Sequence, residues 1–398
     1  MQSLFPVIFG AFCILVVGLL EILLLRLLNK VWWHKAWIRR SAIALPLVGV
    51  VAVVSWGAAE YLALPVPSVV GGVSVALIFV LEVCLMISLP FSGVVHGIDR
   101  LAQNRRQKRA EQSDAEVDPG RRLFLRGTAA ALPLVTLGLG ASGVGRSLGK
   151  INLPMRKISV VGLPMEFDRL RILQISDTHL WHYVTLRQLS TACESAAAYA
   201  PDLVLVTGDV ADDLTQLPEA LRIISQLRPR LGTFAILGNH EYYRGITTVR
   251  KVFDQSPISL FVNQGVRLES SGQTLYLAGI DDPRHLHLVA PGFFQDAIDR
   301  ATADRRPEEF TVLMSHRPDA FDYAATRGIN FTLAGHTHGG QIGFLGRSVF
   351  EAAFPRRYLW GTYRQGSSTL YTTAGAGHWL PFRLGCPPEA PVIELHRA

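Results

Sequence analysis

Hydrophobic patterning divides the chain into two unlike parts. Over roughly the first third, apolar residues come in long unbroken runs; beyond it they come in short runs punctuated by Gly, Asp, Asn and His. Three of the long runs, 4–28, 41–64 and 69–95, are long enough for an α-helix to cross a bilayer. A fourth, Thr128–Val144, is glycine-rich and near the lower limit of a span. The first two are joined by Asn29–Arg40, basic and carrying Trp32, Trp33 and Trp37, the second and third by the uncharged Pro65–Ser68. The third is followed by Asp99–Arg126, rich in Arg and Lys. Basic loops stay in the cytoplasm, so three spans leave the N-terminus outside, and a fourth crossing exports everything after Lys150. Arg121–Arg126 reads either as the basic flank of a span or as a twin-arginine export signal with Gly120 where Ser or Thr is usual. Both readings export the C-terminal part. A third keeps Thr128–Val144 as a buried amphipathic stretch and leaves that part in the cytoplasm. No small-x-small cleavage site follows, so the segment is expected to remain as an anchor. The expected division is a three-helix transmembrane bundle over 1–98, a basic cytoplasmic linker over 99–127, a fourth anchor over 128–150 and a separate domain over 151–398. This describes a multi-pass inner-membrane protein whose C-terminal domain faces the periplasm.

Composition sharpens the split. A 398-residue chain that is 49% hydrophobic, with mean hydropathy +0.25, is too apolar for a soluble protein. Residues 1–150 carry 15 Lys/Arg and 8 Asp/Glu, whereas residues 151–398 carry 24 of each. The whole net charge of +7 therefore belongs to the membrane part and reflects topology, and nucleic acid is not an expected partner. Cys13, Cys84, Cys193 and Cys386 form no CxxC or closely spaced pair, so neither a disulfide framework nor a zinc finger is indicated. Three carboxylates fall within spans. Glu21 and Glu60 lie near span ends and are expected to snorkel or cap, and Glu82, mid-span, to pack inside the bundle.

Beyond residue 150 the apolar runs are strand-length. Leu170–Ile175 precedes Asp177 and His179, Leu203–Thr207 precedes Asp209, and Thr233–Leu237 precedes Asn239. Phe310–Met314 precedes His316, and Phe331–Leu333 precedes His336 and His338. A further strand is expected at 157–162 and a helix at Arg187–Tyr199. Such runs read as buried parallel strands, and in open α/β sheets ligands bind beyond the carboxyl ends of the strands. Five strand ends would thus deliver oxygen and imidazole ligands to one edge, a pattern suited to two divalent metals.

Taken singly, the fragments are weaker. Asp177-x-His179 commonly caps a turn, and Asp209 after Gly208 serves equally well as an N-cap or turn residue. Gly208 would let the backbone approach closely. Gly238-Asn-His-Glu241 is more specific, with His240 facing a substrate, although an Asn-His turn also accounts for it. A lone His316 is more often structural than ligating. Gly335-His-Thr-His-Gly-Gly340 is the strongest local signal, because two imidazoles one residue apart between glycines are difficult to explain as packing.

Taken together and in this order, these motifs over about residues 157–398 resemble the calcineurin-like metallophosphoesterase superfamily. The tail from Gly375-Ala-Gly to Arg383-Leu-Gly-Cys-Pro-Pro-Glu389 resembles its membrane-anchored bacterial branch. The resemblance implies an α/β metallophosphoesterase fold, two packed β-sheets flanked by helices, after the transmembrane bundle. It makes Asp177, His179, Asp209 and His338 ligands of one metal and Asp209, Asn239, His316 and His336 ligands of the other, with Asp209 bridging. It makes His240 the catalytic group that protonates the leaving oxygen or stabilises the phosphoryl charge, and a metal-activated hydroxide the nucleophile. Nitrogen and oxygen donors without thiolate suit Mn, with Fe, Zn or Co as alternatives. Phosphoprotein phosphatases of the superfamily have an Arg where this chain has Asp213, which argues against that class. Asp212 is a possible partner of His240 or part of a solvated turn. Trp181, His182, His285 and His287 could line the pocket, though each also suits surface or packing. Asp281-Asp-Pro283 could support the site, or simply turn, and Gly339, Gly340 and Gln341 could shape the pocket floor. The expected activity is hydrolysis of a phosphodiester or pyrophosphate bond in a small-molecule, envelope or lipid-linked substrate. The alternatives are a phosphomonoesterase with the same metals and a membrane interaction protein with an inert domain. Oligomeric state is not legible.

Overall fold

The computed structural model describes residues 5–62, 64–110, 119–284, 290–354, 357–378 and 380–398. It divides into two compact units, Met1–Gly145 and Arg146–Ala398.

The first unit is helical: α1 (Phe5–Leu27), α2 (Lys30–Trp33), α3 (Ala36–Tyr61), α4 (Pro65–Ala110) and most of α5 (Pro119–Ser147). Four stretches, Val7–Leu27, Ala36–Tyr61, Pro65–Ala102 and Leu123–Ser147, are long and apolar enough to cross a membrane. Two of these differ from the pattern read along the chain. The third helix runs on through Asp99, and the fourth apolar stretch is the core of a longer helix that starts at Pro119. Charged residues do not interrupt a helix, since straight-chain Arg, Lys and Glu are good helix formers. Asn29 joins α1 to α4: its amide donates to the Leu89 carbonyl at 2.9 Å, and its Oδ1 lies 3.0 Å from His96 Nδ1. Glu82 is fully buried, and Glu21 is only 1% exposed. Glu21 is thus enclosed by the helical unit itself.

In the second unit, β1 (Met155–Val160), β2 (Leu170–Ile175), α6 (Leu186–Ala197), β3 (Leu203–Thr207), α7 (Leu217–Ser225), β4 (Thr233–Ile236), α8 (Asn239–Asp254) and β5 (Ser259–Phe261) come first. They are followed by β6 (Gln264–Ser270), β7 (Gln273–Gly279), α9 (Phe293–Ala301), β8 (Thr311–Met314), α10 (Phe321–Thr326) and β9 (Phe331–Ala334). The chain closes with the hairpin β10 (Gly343–Phe344) and β11 (Arg347–Ser348), then β12 (Gly361–Gln365), β13 (Ser368–Thr372) and β14 (Val392–Arg397). Two six-stranded sheets result, ordered β1-β14-β2-β3-β4-β5 and β12-β13-β9-β8-β7-β6.

Their facing sides make one core. Ile172, Leu205 and Ile236 of the first sheet meet Leu277, Val312 and Leu333 of the second. The outer face of the first sheet packs on α6, α7 and α8 through residues such as Leu189, Leu221 and Val249. The second sheet packs on α9 and α10 through Ile298 and Ala324. Local chemistry starts these helices: Thr185 caps α6 in a reciprocal capping box with Gln188.

The five site strands do not share one sheet. β2, β3 and β4 are parallel neighbours in the first, and β8 and β9 are parallel neighbours in the second. Both sheets are mixed, because β14 joins β2 antiparallel and β6–β7 and β12–β13 are hairpins. A strand buried on both faces has the same apolar run whichever sheet it enters, so the pattern along the chain carries no sheet assignment.

Candidate functional site

Each candidate ligand sits on the turn leaving a strand. The loops after β2, β3 and β4 bring Asp177, His179, Asp209 and Asn239, and those after β8 and β9 bring His316, His336 and His338. All seven are gathered at one place. The backbone there is unusual: φ is +53° at Asp177, +44° at His179, +54° at Asp209, +69° at His336 and +51° at His338. Left-handed φ is uncommon for side-chain-bearing residues and marks sites where the surrounding fold imposes it. Two glycines permit the crowding. A Cβ on Gly208 would lie 2.7 Å from His316 Nδ1, and one on Gly335 would lie 2.2 Å from Asp177 Oδ2.

Asp209 is central. Its Oδ1 accepts the His240 backbone N–H at 2.9 Å, leaving Oδ2 at 3.2 Å from His316 Nε2 and 3.6 Å from His179 Nε2. On one side, His179 Nε2 lies 3.2 Å from His338 Nε2, which is 3.7 Å from Asp177 Oδ1. On the other, His316 Nε2 lies 3.2 Å from both Asn239 Oδ1 and His336 Nδ1. Among the described residues three triads that could hold a metal result: Asp177, His179 and His338; His179, Asp209 and His240; and Asp209, His316 and His336.

The donor set fits two cations. His316 Nδ1 is 2.8 Å from the Thr207 carbonyl, and His179 Nδ1 is 3.2 Å from Asp212 Oδ2. Those acceptors hold the ring proton on Nδ1 and turn the Nε2 lone pairs of His179 and His316 inward. Both lone pairs and the Asp209 Oδ2 oxygen then converge on one place, which a proton or a metal ion would satisfy.

The charge pattern says the same. Burial works against a charged His179, yet Asp212, Asp209 and Asp177 outweigh it and push its pKa up to about 9. His316 is likewise opposed by burial and pushed up to about 10, chiefly by Asp209. Burial and the neighbouring His316 and Arg317 hold His336 well below its ordinary value, and burial with Arg383 and His179 does so for His338. Burial raises the Asp177 carboxyl. It also opposes ionisation of Asp209, but the His316 charge wins and holds that carboxyl well down.

Residues around the ligands set their orientation. Asp212 is buried and shared: Oδ2 takes His179, and Oδ1 takes His240 Nδ1 at 2.6 Å and Arg244 Nε at 3.0 Å. Of the two readings of Asp212, partner of His240 holds and solvated turn does not. Burial raises its carboxyl, but the hydrogen bonds from His179 and His240 prevail and hold it far below the usual range. Asp213 does form a turn, with Thr215 and Gln216. Asp282 supports the site through a buried pair with Arg317 at 2.8 Å, next to His316. Arg244 lies 5.3 Å over the Trp181 ring, and Trp181 stacks on His182. Gly339 packs against Trp360 and Cys386, while Gln341 donates to the Leu380 and Phe382 carbonyls and so ties two loops rather than flooring a pocket. His285 and His287 lie outside the described residues.

Two participants escaped the sequence reading. Glu241 was visible only as the end of a motif, yet its buried carboxylate accepts the N–H groups of Gly238, Asp209 and Val210 at 2.7, 2.9 and 2.8 Å. Its position three residues into α8 is the capping-box signal that could have flagged it. Arg383, fully buried, donates to the carbonyls of His338, Ala374 and Gly377 and lies 3.0 Å from His338 Nδ1. Only the tail motif hinted at it.

Two sandwiched sheets whose carboxyl ends hold a carboxylate ringed by imidazoles define a metallohydrolase. The chain belongs to the calcineurin-like phosphoesterase family, whose model matches residues 170–340, and it is a metal-dependent phosphoesterase of the membrane. It is 32% identical over 287 residues to the metallophosphoesterase YkuE of Bacillus subtilis, covering 69% of this chain and 97% of that one. A Bos taurus transmembrane protein with metallophosphoesterase domain is 28% identical over 325 residues, covering 79% of this chain and 72% of that one. The solved 5'-nucleotidase precursor from Thermus thermophilus aligns over 53% of this chain and 49% of its own, at 15% identity and TM-score 0.37.

Proposed function

We propose that the chain hydrolyses a phosphodiester or pyrophosphate bond of an envelope or lipid-linked substrate, with the second unit on the periplasmic side of the inner membrane. The observation that carries the chemistry is the placement of Asp209 Oδ2 between the two imidazole groups. Asp177, His179, Asp209 and His338 would hold one cation, and Asp209, Asn239, His316 and His336 the other. Divalent ions held there balance phosphate charge and lower the pKa of water to give a nucleophile at neutral pH. Manganese is the favoured metal on donor type, ahead of Fe, Zn or Co.

The chain's own groups then divide the work. Asp212 Oδ1 accepts the His240 Nδ1–H at 2.6 Å and so orients the ring, leaving the other ring nitrogen to deliver a proton to the leaving oxygen. A lipid or sugar alkoxide is a poor leaving group and needs that proton. Glu241 pins the backbone that carries Asp209 and Asn239, and Asp282–Arg317 does the same beside His316. Preference for a diester is supported by Asp213, which forms a turn at the position where phosphoprotein phosphatases carry a phosphate-gripping arginine. Arg244, partly exposed beside Asp212, is the feature that favours the rival phosphomonoesterase.

Comparing bis-p-nitrophenyl phosphate with p-nitrophenyl phosphate, with and without added Mn, tests the reaction. Faster metal-dependent hydrolysis of the diester is expected, and a strong monoester preference would overturn it. A C-terminal alkaline phosphatase fusion tests orientation: it should be active, and an inactive fusion beside an active cytoplasmic reporter would place the site inside.

A further inference from the structure

The segment after His338 carries a surface that phosphoester chemistry leaves unused. The turn of the β10–β11 hairpin is Leu345-Gly346, with φ of +50° and +78°. Two-residue hairpin turns with both φ positive favour Asn, Asp or Gly at the first position. A leucine there carries backbone strain, and its side chain is 87% exposed. Phe344 is 70% exposed, and Val349, Phe350 and Phe354 are also exposed. Isolated exposed apolar residues are ordinary, but five within one short projecting segment are not.

Two arginines belong to this stretch, Arg347 in β11 and Arg357 just beyond Phe354, and their side chains are 47% and 64% exposed. Arg357 pairs with Asp319 at 3.6 Å between largely exposed side chains, a weak contact; Arg347 pairs with Glu351 at 3.1 Å, donates to the Thr362 carbonyl and lies over the Tyr363 ring. Aromatic and aliphatic side chains flanked by arginine are the composition of an element that lies in a bilayer interface, apolar part among acyl chains and cations at anionic headgroups. The chain's own membrane-crossing helices keep a bilayer tethered to this unit. The base of the segment also belongs to the site's surroundings, since a Cβ on Gly340, two residues after His338, would lie 2.8 Å from Phe350.

We propose that the 343–354 segment dips into the bilayer interface beside the site, which takes the phosphate of an amphiphile whose apolar part stays in the membrane. The substrate half of this inference rests on the phosphoesterase reading; the insertion half does not. In the full chain in anionic phospholipid nanodiscs, with Cys13 and Cys84 replaced by Ser, a fluorophore on Leu345→Cys is compared with one on Ser271→Cys in the β6–β7 turn. Lipid-borne nitroxide should quench the label at 345 at least about threefold more than that at 271, and an aqueous quencher the reverse. Equal aqueous quenching at both positions overturns insertion. Protection from the aqueous quencher without lipid quenching also overturns it, because a protein surface then covers the tip.

Activity supplies the second arm. The double change Leu345→Asn with Phe344→Ser suits the turn better than the native pair and should fold. Hydrolysis of ethyl p-nitrophenyl phosphate should stay within about twofold, while hydrolysis of hexadecyl p-nitrophenyl phosphate in the same discs falls at least tenfold. Equal change on both substrates overturns the delivery role. If the parent cleaves neither ester with any of the four metals, the phosphoesterase reading fails and with it the substrate half, while the quenching result still decides insertion.

Discussion

Asp212→Asn removes a charge without removing bulk, and its consequences can be worked out from the geometry around it. The carboxylate takes His179 Nδ1 on Oδ2 and His240 Nδ1 on Oδ1, with Arg244 sharing the latter. An amide has one accepting oxygen and one donating nitrogen, so it satisfies one histidine and confronts the other with an N–H. If His179 loses its acceptor, its proton moves to Nε2, and the lone pair aimed at the cluster is lost. Changes of this kind cost about 10- to 100-fold in metal affinity, or about 1.4–2.7 kcal/mol. If His240 loses it, the imidazolium loses its counter-charge, and the rate falls by the general-acid contribution of about 10²- to 10⁴-fold. Arg244 Nε already commits Oδ1 as the acceptor, so the amide oxygen is expected on the His240 side and the larger effect on metal affinity. Metal titration calorimetry and kcat at saturating metal separate the two outcomes. A variant that binds both ions as the parent does and keeps its kcat would refute the reasoning.

Other outcomes rest on the same contacts. Asp209→Ala should abolish both ion sites at once, so metal content falls from about two ions to less than one and activity by at least about 10³-fold; retention of one tightly held ion would show that the carboxylate is not shared. In the metal-free protein His179 and His316, with pKa raised to about 9 and about 10, carry protons that metals must displace, so affinity should rise with pH toward that range. Calorimetry in two buffers of different ionisation enthalpy should show proton release near pH 7. The sign for stability is opposite: because the folded pKa values lie above the unfolded ones, these histidines stabilise the metal-free fold below about pH 6.5, and that contribution is lost as pH rises through 9 and 10. Thermal melts of the metal-free protein across that range check it. Arg383→Met should leave the buried carbonyls of His338, Ala374 and Gly377 without their donor, costing about 3–5 kcal/mol and lowering Tm by about 10 °C, measured by scanning fluorimetry.

What was legible along the chain was whatever depends on near neighbours. The membrane-length runs, the strands before Asp177, Asp209 and Asn239, and the residue types at their ends all stem from periodicity and side-chain chemistry, which a linear sequence displays. The apolar runs mark the spans but not the ends of the helices, since polar residues continue a helix without leaving an apolar trace, as in α4 beyond Asp99 and α5 before Thr128.

What only the tertiary structure decided depends on residues far apart in the chain. The assignment of β2–β4 and β8–β9 to different sheets is one such feature, because a strand buried on both faces bears no mark of its partner. The left-handed backbone at Asp177, His179, Asp209, His336 and His338 is another: Asp and His adopt it more readily than most side chains, but that preference is weak, and the fold sustains it through contacts such as Gly335 against Asp177 and the Glu241 hydrogen bond to the Asp209 N–H. The shared role of Asp212, the burial of Glu21 and the exposure of Leu345 complete the set. Each is a matter of what packs against a side chain, and packing is settled by the collapse of the whole sandwich, not by any run of residues within it.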